Sequence, residues 1–433
     1  MKQKRGGWAA SFFTIWTGQA LSLLGSRLAQ FALVWWVTET TGSATTLATA
    51  TLAALLPEVL LGPFAGALVD RWNRRRVLII ADGCIALLSV GVVYLFWSGN
   101  IRIWHIYLIM IARSLGGVFH WPAMQSSTSL MVPKEQLARV AGMNQTLFGA
   151  LNIVAPPLGA LLLTLLPLHG VMAIDVVTAL LAILPLAFIA IPQPQRSAGE
   201  ATGTSSPFRG LWTDVQSGLR YIWGWKGLLG ICLLAMLINF FASPAMQLLP
   251  IYVTTHFKGE ALQLGWLESA WGVGLLGGGL LLTLFGGFKR RMITCMVGIV
   301  GLGLGFLVVG VTPASLFPMA LGGLFFGGVM NSLCNGSLMA VMQGAVAPEV
   351  QGRVFTVVGS LSAGMLPVSM ALAGPFADAV GARTLFLVGG GMQILLGVAG
   401  FFIPAIMRLE DDARAIAQVR EGLPTSVPLE TAP

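Results

Sequence analysis

The feature that most constrains this chain is a series of long apolar runs separated by short polar breaks. Twelve runs are long enough to cross the hydrocarbon core of a bilayer, which takes roughly 20 residues per helix. They cover about residues 10–36, 45–69, 77–97, 104–130, 140–166, 171–191, 227–253, 261–286, 292–311, 315–346, 354–377 and 383–406. Inside a bilayer, backbone amides must be paired within the protein, so such runs are predicted to be helices. The sequence therefore predicts an all-α membrane protein with twelve transmembrane helices.

The composition agrees with this prediction and excludes several classes of protein. Of the 433 residues, 56% are hydrophobic and 10% are charged, whereas soluble domains carry about 25% charged residues. The spans and their short loops leave no room for an appended catalytic or nucleotide-binding domain, and neither GxxxxGKS nor GxxxxGKT occurs. The four cysteines lie far apart, without metal-ligand spacing. We therefore expect neither an enzyme nor an ATP-driven pump, and we expect no cofactor or metal.

Lysine and arginine residues are distributed unevenly among the polar breaks. Twenty of them fall on the side of the N-terminus, three fall on the opposite side, and Arg27 and Arg113 lie inside spans. Because cytoplasmic loops are enriched in Lys and Arg, this bias predicts a multi-pass protein of the inner (plasma) membrane with both termini in the cytoplasm. It also explains the formal net charge of +8 without a nucleic-acid partner.

The chain is predicted to divide into two similar halves around a polar segment. Residues 193–207 have the composition of a flexible linker, and the residues up to 226 have the spacing of an amphipathic helix on the cytoplasmic membrane face. The segment Val132–Val140 resembles Ala347–Val354, which indicates an internal repeat. Parallel repeats of two six-helix halves occur in alternating-access transporters, with the substrate site between the halves. The predicted parts are two pseudo-symmetric six-helix bundles at 1–191 and 227–406, a linker at 192–226 and a cytoplasmic tail at 407–433.

A family resemblance begins in the turn after the second span, which reads GALVDRWNRRR over residues 66–76. This turn resembles the signature G-x-L-a-D-r-x-G-r-(k/r) of the major facilitator superfamily, with Asn73 at the place of the second Gly. In the fifth span, the sequence APPLGA resembles the exporter-associated motif G-P-x-x-G-G at Pro156 and Gly159. Stretches such as Trp35-Trp36 and Leu56-Pro57-Glu58 are similar to the macrolide-efflux branch of drug:proton antiporters. The resemblance covers essentially the whole chain.

The resemblance implies that the turn after the second span acts in gating. Asp70 is expected to meet the N-terminal end of the eleventh helix, near Arg353, when the cytoplasmic side is closed. A carboxylate at that place would be stabilised by the helix dipole. The other residues implied in this gate are Gly66, Arg71, Arg74 and Arg75. The alternative is a basic turn that only fixes the topology, with a solvated Asp.

Ionisable side chains inside the spans are the candidates for proton coupling. A charge at this depth costs about 2.5–3.5 kcal/mol unless it is paired or wetted, so these side chains should face the protein interior. We predict that Glu58 is a buried coupling acid with Arg27 or Arg113 as its partner, and that Glu268 is its rival. A permanent structural ion pair, or for Arg113 a clamp on backbone carbonyls, is the alternative. Three aspartates near span ends are expected to be solvated: Asp82, Asp175 and Asp378.

The polar side chains of four spans are candidates for the substrate cavity. The family architecture implies that the first, fourth, seventh and tenth helices surround it. On these helices the candidates are Gln19, Ser26, Gln30, His120, Met124, Asn239, Met246, Asn331 and Asn335. Methionine and amide surfaces suit bulky amphipathic ligands because they can repack. The alternative for each polar residue is that it hydrogen-bonds neighbouring helices to one another.

Together, these patterns predict a secondary transporter that exports amphipathic, drug-like compounds of macrolide type by proton antiport and alternating access. Its partners would be the small-molecule substrate, protons and the lipid bilayer, and the family resemblance implies a monomer. One alternative is the export of an endogenous siderophore or lipid-like metabolite. A second is a non-transporting membrane receptor or assembly factor on the same scaffold, which would have no reason to retain costly intramembrane charges.

Overall fold

The computed structural model describes residues 8–193 and 207–411. Within these ranges, twelve helices are long and apolar enough to cross a membrane, as predicted. The first six are α1 (Trp8–Thr41), α2 (Ala44–Val69), α3 (Arg74–Trp97), α4 (Ile103–Met131), α5 (Leu137–Leu165) and α6 (Leu168–Phe188). The second six are α8 (Lys226–Gln247), α10 (Ala261–Phe285), α11 (Arg291–Val311), α12 (Phe317–Ala345), α13 (Pro348–Val380) and α14 (Arg383–Phe402). Three shorter helices are α7 (Pro207–Gly224), α9 (Leu249–Tyr252) and α15 (Pro404–Met407).

The helices pack as two six-helix bundles with the same internal arrangement. In the first bundle, α1 packs on α5 and α6, α2 packs on α4, and α3 packs on α4 and α6. The second bundle repeats these five pairs in the same order: α8 packs on α13 and α14, α10 on α12, and α11 on α12 and α14. The bundles meet chiefly through two pairs, α2 with α13 and α5 with α10. This pseudo-symmetric all-α architecture confirms the predicted fold class.

Two sides of the membrane are distinguished by the chain itself. We call the side on which α1 begins the proximal side, which also holds the α2–α3 and α4–α5 turns. The opposite side, which holds the α1–α2 and α3–α4 turns, is the distal side. The predicted cytoplasmic ends of the chain, residues 1–7 and 412–433, and linker residues 194–206 lie outside the described ranges.

Two predicted spans are shorter in the structure because proline interrupts them. The seventh span, predicted to reach residue 253, ends at Gln247 and is followed by α9 and a π-helical turn, Val253–Phe257. Pro250 has no N–H to continue the hydrogen-bond ladder of α8, so the helix restarts there. The twelfth span, predicted to reach residue 406, ends at Phe402, and Pro404 begins α15.

The amphipathic segment after the linker forms α7 and packs on the second bundle. The apolar side chains of Val215, Leu219 and Ile222 join a cluster that includes Val354 and Val357 of α13. Ile222 is almost completely buried there. The apolar face of α7 is therefore covered by protein in its C-terminal half.

Candidate functional site

A cavity of about 450 Å³ lies between the two bundles. Residues of α1, α2 and α5 line one wall, and residues of α8, α9 and α10 line the other. Its charged lining residues are Arg27 on the first bundle and Glu268 on the second. Arg27 is exposed and Glu268 is half-buried, and the two side chains line the cavity from opposite bundles. An opposite charge pair therefore spans the boundary between the halves.

A second cavity of about 310 Å³ adjoins the first and lies within the second bundle. The two share Met246, Gln247 and Trp271 as lining residues, so they form one continuous concave surface. Four predicted cavity residues line this second part: Asn239, Met246, Asn331 and Asn335. Met246 also lines the first part, together with the predicted Gln30. The Asn335 amide donates to the side-chain oxygen of Asn331 at 2.6 Å. The combined surface carries the aromatic rings of Phe31, Trp271 and Phe306, the thioethers of Met246 and Met296, and several amide side chains.

Glu58 is exposed rather than buried, contrary to the sequence-based expectation. It lies on the same face of α2 as Thr51 and Leu55, which line the central cavity, but one turn closer to the proximal end. The distal part of α2 packs against α13, where Gly374 approaches Thr45 and Ala48. Glu58 is therefore accessible because the cleft beneath the cavity is open at its level.

Arg113 pairs with Asp175 of α6, not with Glu58. The guanidinium donates to the Asp175 carboxylate at 2.5 Å and to the Ser89 hydroxyl at 2.7 Å. The hydroxyls of Ser26 and Ser89 also donate to that carboxylate, at 3.0 and 2.6 Å. Asp175 is 0% exposed, so the expectation that it is solvated is wrong. We call these four side chains the arginine layer.

A second buried network lies in the same bundle and joins α1, α3 and α4. The Gln19 amide donates to one oxygen of Asp82 at 2.8 Å, and Nε2 of His120 lies 3.2 Å from the other. The same ring nitrogen lies 2.8 Å from the Gln19 carbonyl oxygen. Asp82 is buried, so the expectation that it is solvated is also wrong. We call Gln19, Asp82 and His120 the histidine layer.

The two layers are stacked in register along three helices. Gln19 and Ser26 on α1, Asp82 and Ser89 on α3, and Arg113 and His120 on α4 are each seven residues apart. Seven residues are two helical turns, or about 10 Å. Each helix therefore presents one polar side chain to each layer on the same face, and the histidine layer is the one nearer the proximal side.

Asp378, near the C-terminal end of α13, binds the N-terminus of α2 across the bundle boundary. Its carboxylate accepts from the Ser43 hydroxyl at 2.9 Å and from the backbone N–H groups of Ala44 and Thr45 at 2.6 and 2.9 Å. These N–H groups belong to the first turn of α2, where no partner exists within the helix. Although Asp378 is exposed, as expected, its carboxylate holds the two bundles together on the distal side.

Asp70, at the other end of α2, makes a contact within its own bundle. Its carboxylate is 66% exposed and lies 3.0 Å from the Arg74 guanidinium, one turn away. Arg75 donates to the backbone carbonyls of Leu186 and Ala187 at the end of α6, both at 2.5 Å. A side chain added at Gly66 or Gly352 would meet nothing within 4 Å. The structure is thus closed on the distal side, and the cleft is open toward the proximal side.

The model of the Major Facilitator Superfamily matches residues 15–366. The chain belongs to this superfamily. Macrolide efflux protein A of Streptococcus pyogenes is 32% identical over 408 residues, covering 94% of this chain and 99% of that protein. Multidrug efflux pump Tap of Mycobacterium tuberculosis is 26% identical over 408 residues, covering 92% and 94%.

Solved structures of the superfamily share the fold at low sequence identity. A bacterial homologue of the iron transporter ferroportin, in an inward-facing state, has a TM-score of 0.68 and 15% identity, covering 94% of this chain and 100% of that chain. The xylose transporter XylE from E. coli, in an inward-open conformation, has a TM-score of 0.62 and 14% identity, covering 89% and 95%. These similarities establish the superfamily fold.

In the superfamily signature turn, Asn73 stands where the signature has a Gly. A left-handed backbone, for which Asn would substitute for Gly, is absent here, because Asn73 has φ −71° and ψ 109°. Its side chain instead accepts from the N–H of Arg76 and caps α3. Asn73 therefore stabilises the turn by capping the N-terminus of α3.

The exporter-like motif of α5 lies where this helix touches two others. A Cβ added to Gly159 would lie 3.0 Å from the Phe31 ring of α1. Across the bundle boundary, a Cβ added to Gly265 of α10 would lie 2.9 Å from Cα of Pro157 and 3.0 Å from the Pro156 carbonyl oxygen. The absence of a side chain at Gly265 therefore permits the distal half of α5 to close on α10.

Gly265→Leu is expected to wedge α5 and α10 apart and to favour distal opening. The added side chain meets backbone atoms of Pro156 and Pro157, which cannot rotate away. Reaction of a cysteine placed at Ala261, which is 4% exposed one turn distal to Gly265 and borders the distal vestibule, measures the opening. Gly277→Leu is the matched control, since a Cβ at Gly277 makes only a 3.8 Å contact. Equal reactivity in both variants would contradict the wedge.

Several functional residues were missed or misassigned from the sequence. Gln19, His120 and Met124 line a small side pocket of about 30 Å³ rather than the central cavity, and Ser26 belongs to the arginine layer. Trp271 was not predicted, although it lines both parts of the central surface. The seven-residue spacing of polar residues on three different helices was the signal that could have identified the two layers.

Proposed function

We propose that this protein exports amphipathic, drug-like compounds of macrolide type from the cell in exchange for protons. The central cavity carries the proposal, since it is bounded by both bundles and offers Trp271, Met246 and amides beside one opposite charge pair. Such surfaces bind bulky, partly polar molecules by burying apolar area and satisfying a few polar groups. The similarity to macrolide efflux protein A along nearly the whole chain supports the same substrate class.

Transport would follow alternating access between the bundles. The proximal side is the cytoplasm in this proposal, because most Lys and Arg residues of the loops lie there. The present conformation would then be the one that loads substrate from the cytoplasm or the inner leaflet of the plasma membrane. Rocking of the bundles would exchange the Asp378 contact for the expected contact of Asp70 with α13.

The carboxylates on the substrate route would exchange substrate for protons. Glu268 lies in the cavity opposite Arg27, and Glu58 lies on the cavity-facing side of α2 one turn below. A carboxylate that is wetted in one state and enclosed in the next gains or loses a proton as its surroundings change. We retain Glu58 as the proposed coupling acid, with Glu268 as its rival.

Proteoliposomes containing the full chain test this function with a radiolabelled macrolide. When the lumen of the liposomes is acidic, protein molecules whose proximal side faces the outer solution are expected to accumulate the macrolide in the lumen. Each exchanged proton contributes about tenfold accumulation per pH unit for a neutral substrate, since one unit is worth about 1.36 kcal/mol. Collapse of the gradient by a protonophore should release the label. Uptake that equals protein-free liposomes under every gradient would reject the proposal.

Glu58→Gln is expected to reduce gradient-driven accumulation by at least about tenfold, the factor that one exchanged proton contributes per pH unit. Binding of the macrolide, measured by quenching of tryptophan fluorescence, should persist because the cavity lining is unchanged. Glu135→Gln is the matched control, since Glu135 is an exposed acid in the α4–α5 turn. Undiminished accumulation by Glu58→Gln would show that Glu58 is not the coupling acid. Glu268→Gln then tests whether Glu268 has this role.

A further inference from the structure

The histidine layer contains a buried acid whose possible counter-charge is itself titratable. Asp82 is 3% exposed, and its carboxylate oxygens contact the Gln19 amide and Nε2 of His120. Gln19 is neutral at every physiological pH, so only His120 can offer a positive charge by direct contact. The charge of the layer therefore changes by one when a single proton is gained or lost.

The positions of the hydrogens follow from the acceptors around the ring. Nε2 of His120 faces an Asp82 oxygen at 3.2 Å and the Gln19 carbonyl oxygen at 2.8 Å. The orientation of this amide is set by its N–H donation to the other Asp82 oxygen. Because both neighbours of Nε2 are acceptors, this nitrogen carries a proton, and the exchangeable proton belongs to Nδ1 or to the carboxylate.

Among the contacts described, no permanently charged side chain pairs with Asp82 or His120. On the packed helices, the charged groups include Arg74 on α3, Arg113 on α4, Asp175 on α6, Glu58 and Asp70 on α2, Arg27 on α1 and Arg139 on α5. Arg74 is buried eight residues from Asp82, about 12 Å along α3, and its guanidinium pairs with Asp70. Arg113 and Asp175 neutralise each other about two turns away. Glu58, Asp70, Arg27 and Arg139 are exposed. With its proton the histidine layer is neutral, and without it a buried negative charge remains, which is costly in a membrane.

The arginine layer behaves differently although it also contains a buried carboxylate. An arginine keeps its charge at all physiological pH values, so Asp175 has a permanent counter-ion. Two serine hydroxyls and the guanidinium bind the Asp175 carboxylate. This pair has no reason to exchange a proton, which leaves the histidine layer as the titratable part of the polar stack.

A side pocket next to the histidine layer is large enough to hold a water molecule. Gln19 and His120 line the side pocket of about 30 Å³, a volume above the roughly 10–15 Å³ that one water needs. The exposed side chains of Trp121 and Gln125 border the same pocket. Asp82 lies eight residues from the proximal start of α3, and His120 lies eleven residues from the proximal end of α4. At 1.5 Å per residue, these depths are about 12 and 16 Å.

We infer that the Asp82–His120 pair is a proton-binding site, separate from the substrate cavity, and that it releases one of the exchanged protons to the proximal side. This inference rests on the proposed proton antiport. When the proximal cleft is closed, the pair would stay protonated and neutral. When the cleft is open, water in the side pocket would lower the free-energy cost of the ionised Asp82 carboxylate. Proton release is thereby tied to the conformation in which substrate is loaded.

Asp82→Asn and His120→Gln test this site in proteoliposomes with a radiolabelled macrolide. Both variants are expected to exchange labelled for unlabelled macrolide without a gradient, because the substrate cavity is unchanged. Gradient-driven accumulation should fall at least about tenfold per pH unit, the contribution of one lost proton. Purified protein in weakly buffered detergent should also release fewer protons per macrolide bound than the wild type. Glu135→Gln in the α4–α5 turn and His169→Gln at the distal end of α6 remove the same chemical groups outside the layer and serve as matched controls.

The outcomes separate this inference from the proposed function. If the wild type exchanges macrolide but its accumulation of macrolide does not depend on the pH gradient, proton antiport itself is refuted. Wild-type accumulation that responds to the gradient, together with an unchanged response in either variant, would overturn the histidine layer as a proton site. Loss of exchange in both variants would make the layer a structural element of the bundle, and the inference would then be wrong.

Discussion

Replacing Asp175 by asparagine is expected to destabilise the protein by about 3–5 kcal/mol, because the Arg113 charge then lies buried without a counter-ion. The pair is enclosed among α1, α3, α4 and α6, and Asp175 has no exposed surface. Asparagine has nearly the same size as aspartate and keeps one acceptor oxygen. The loss of unfolding free energy therefore reports the missing charge and not a cavity. The free energy of unfolding of the full chain in mixed micelles, measured by denaturant titration, gives the magnitude.

A double variant separates the cost of an unpaired charge from the worth of the pair. Arg113→Met combined with Asp175→Leu replaces both charges by apolar groups, which is often neutral or stabilising. Most of the stability lost in Asp175→Asn should therefore return, since Ser26 and Ser89 can bond their own helix carbonyls instead. Asp411→Asn is the surface control, because its contact with Arg290 at 3.5 Å is largely exposed and is worth at most about 1 kcal/mol. A loss this small in Asp175→Asn would contradict a buried structural ion pair.

The fold could be predicted because its main determinants are local in the sequence. Each span is set by the length of an apolar run, and the repeat of two halves is visible in the sequence. The errors in span ends occur at Pro250 and Pro404, where a helix restarts although the apolar run continues. Hydropathy measures transfer of side chains into lipid and is insensitive to a missing backbone N–H.

The partners of the buried charges could not be predicted because they depend on which helices meet. Depth along a predicted span is the only measure of burial that the sequence offers, and it predicts solvated side chains for Asp82 and Asp175 and a buried one for Glu58. In the folded chain, α6 begins at Leu168, so Asp175 lies about 10 Å inside the helix and is enclosed by three other helices. Glu58 is deep in the sequence of α2 but faces an open cleft. Burial is a property of the assembled bundle, whereas the residue types and their seven-residue spacing belong to the sequence.

The helix pair α2 and α13 carries an acid at the C-terminal end of each helix. Asp378 of α13 binds the first-turn N–H groups of α2 on the distal side in this structure. Asp70 of α2 is expected to bind the first turn of α13 on the proximal side in the opposite conformation. In the proposed alternating access, in which the bundles rock about the cavity, the two contacts should exclude each other. Each acid would then stabilise one end state by binding helix N–H groups that have no partner within the helix.

Asp378→Ala is therefore expected to shift the protein toward the distally open conformation. Loss of a side-chain cap costs about 0.5–2 kcal/mol, so the ratio of open to closed molecules should rise by about 2- to 30-fold. Spin labels at Asn100→Cys and Ala314→Cys report the distance between the bundles, since both positions are exposed in distal turns. Cys84→Ser supplies the background, because among the cysteines Cys84 alone is exposed.

The direction in which Asp70→Ala shifts the population of the distally open conformation decides whether the two acids stabilise opposite end states. This variant should lower the distally open population, because it weakens the expected contact that closes the proximal side. Combining it with Asp378→Ala should return the distance distribution toward that of the labelled parent, since the two end states lose similar stabilisation. Glu135→Ala, an exposed acid in the proximal α4–α5 turn, should leave the distribution unchanged. A shift in the same direction for Asp70→Ala and Asp378→Ala would mean that the acids do not oppose each other, and the gate would then require a different physical basis.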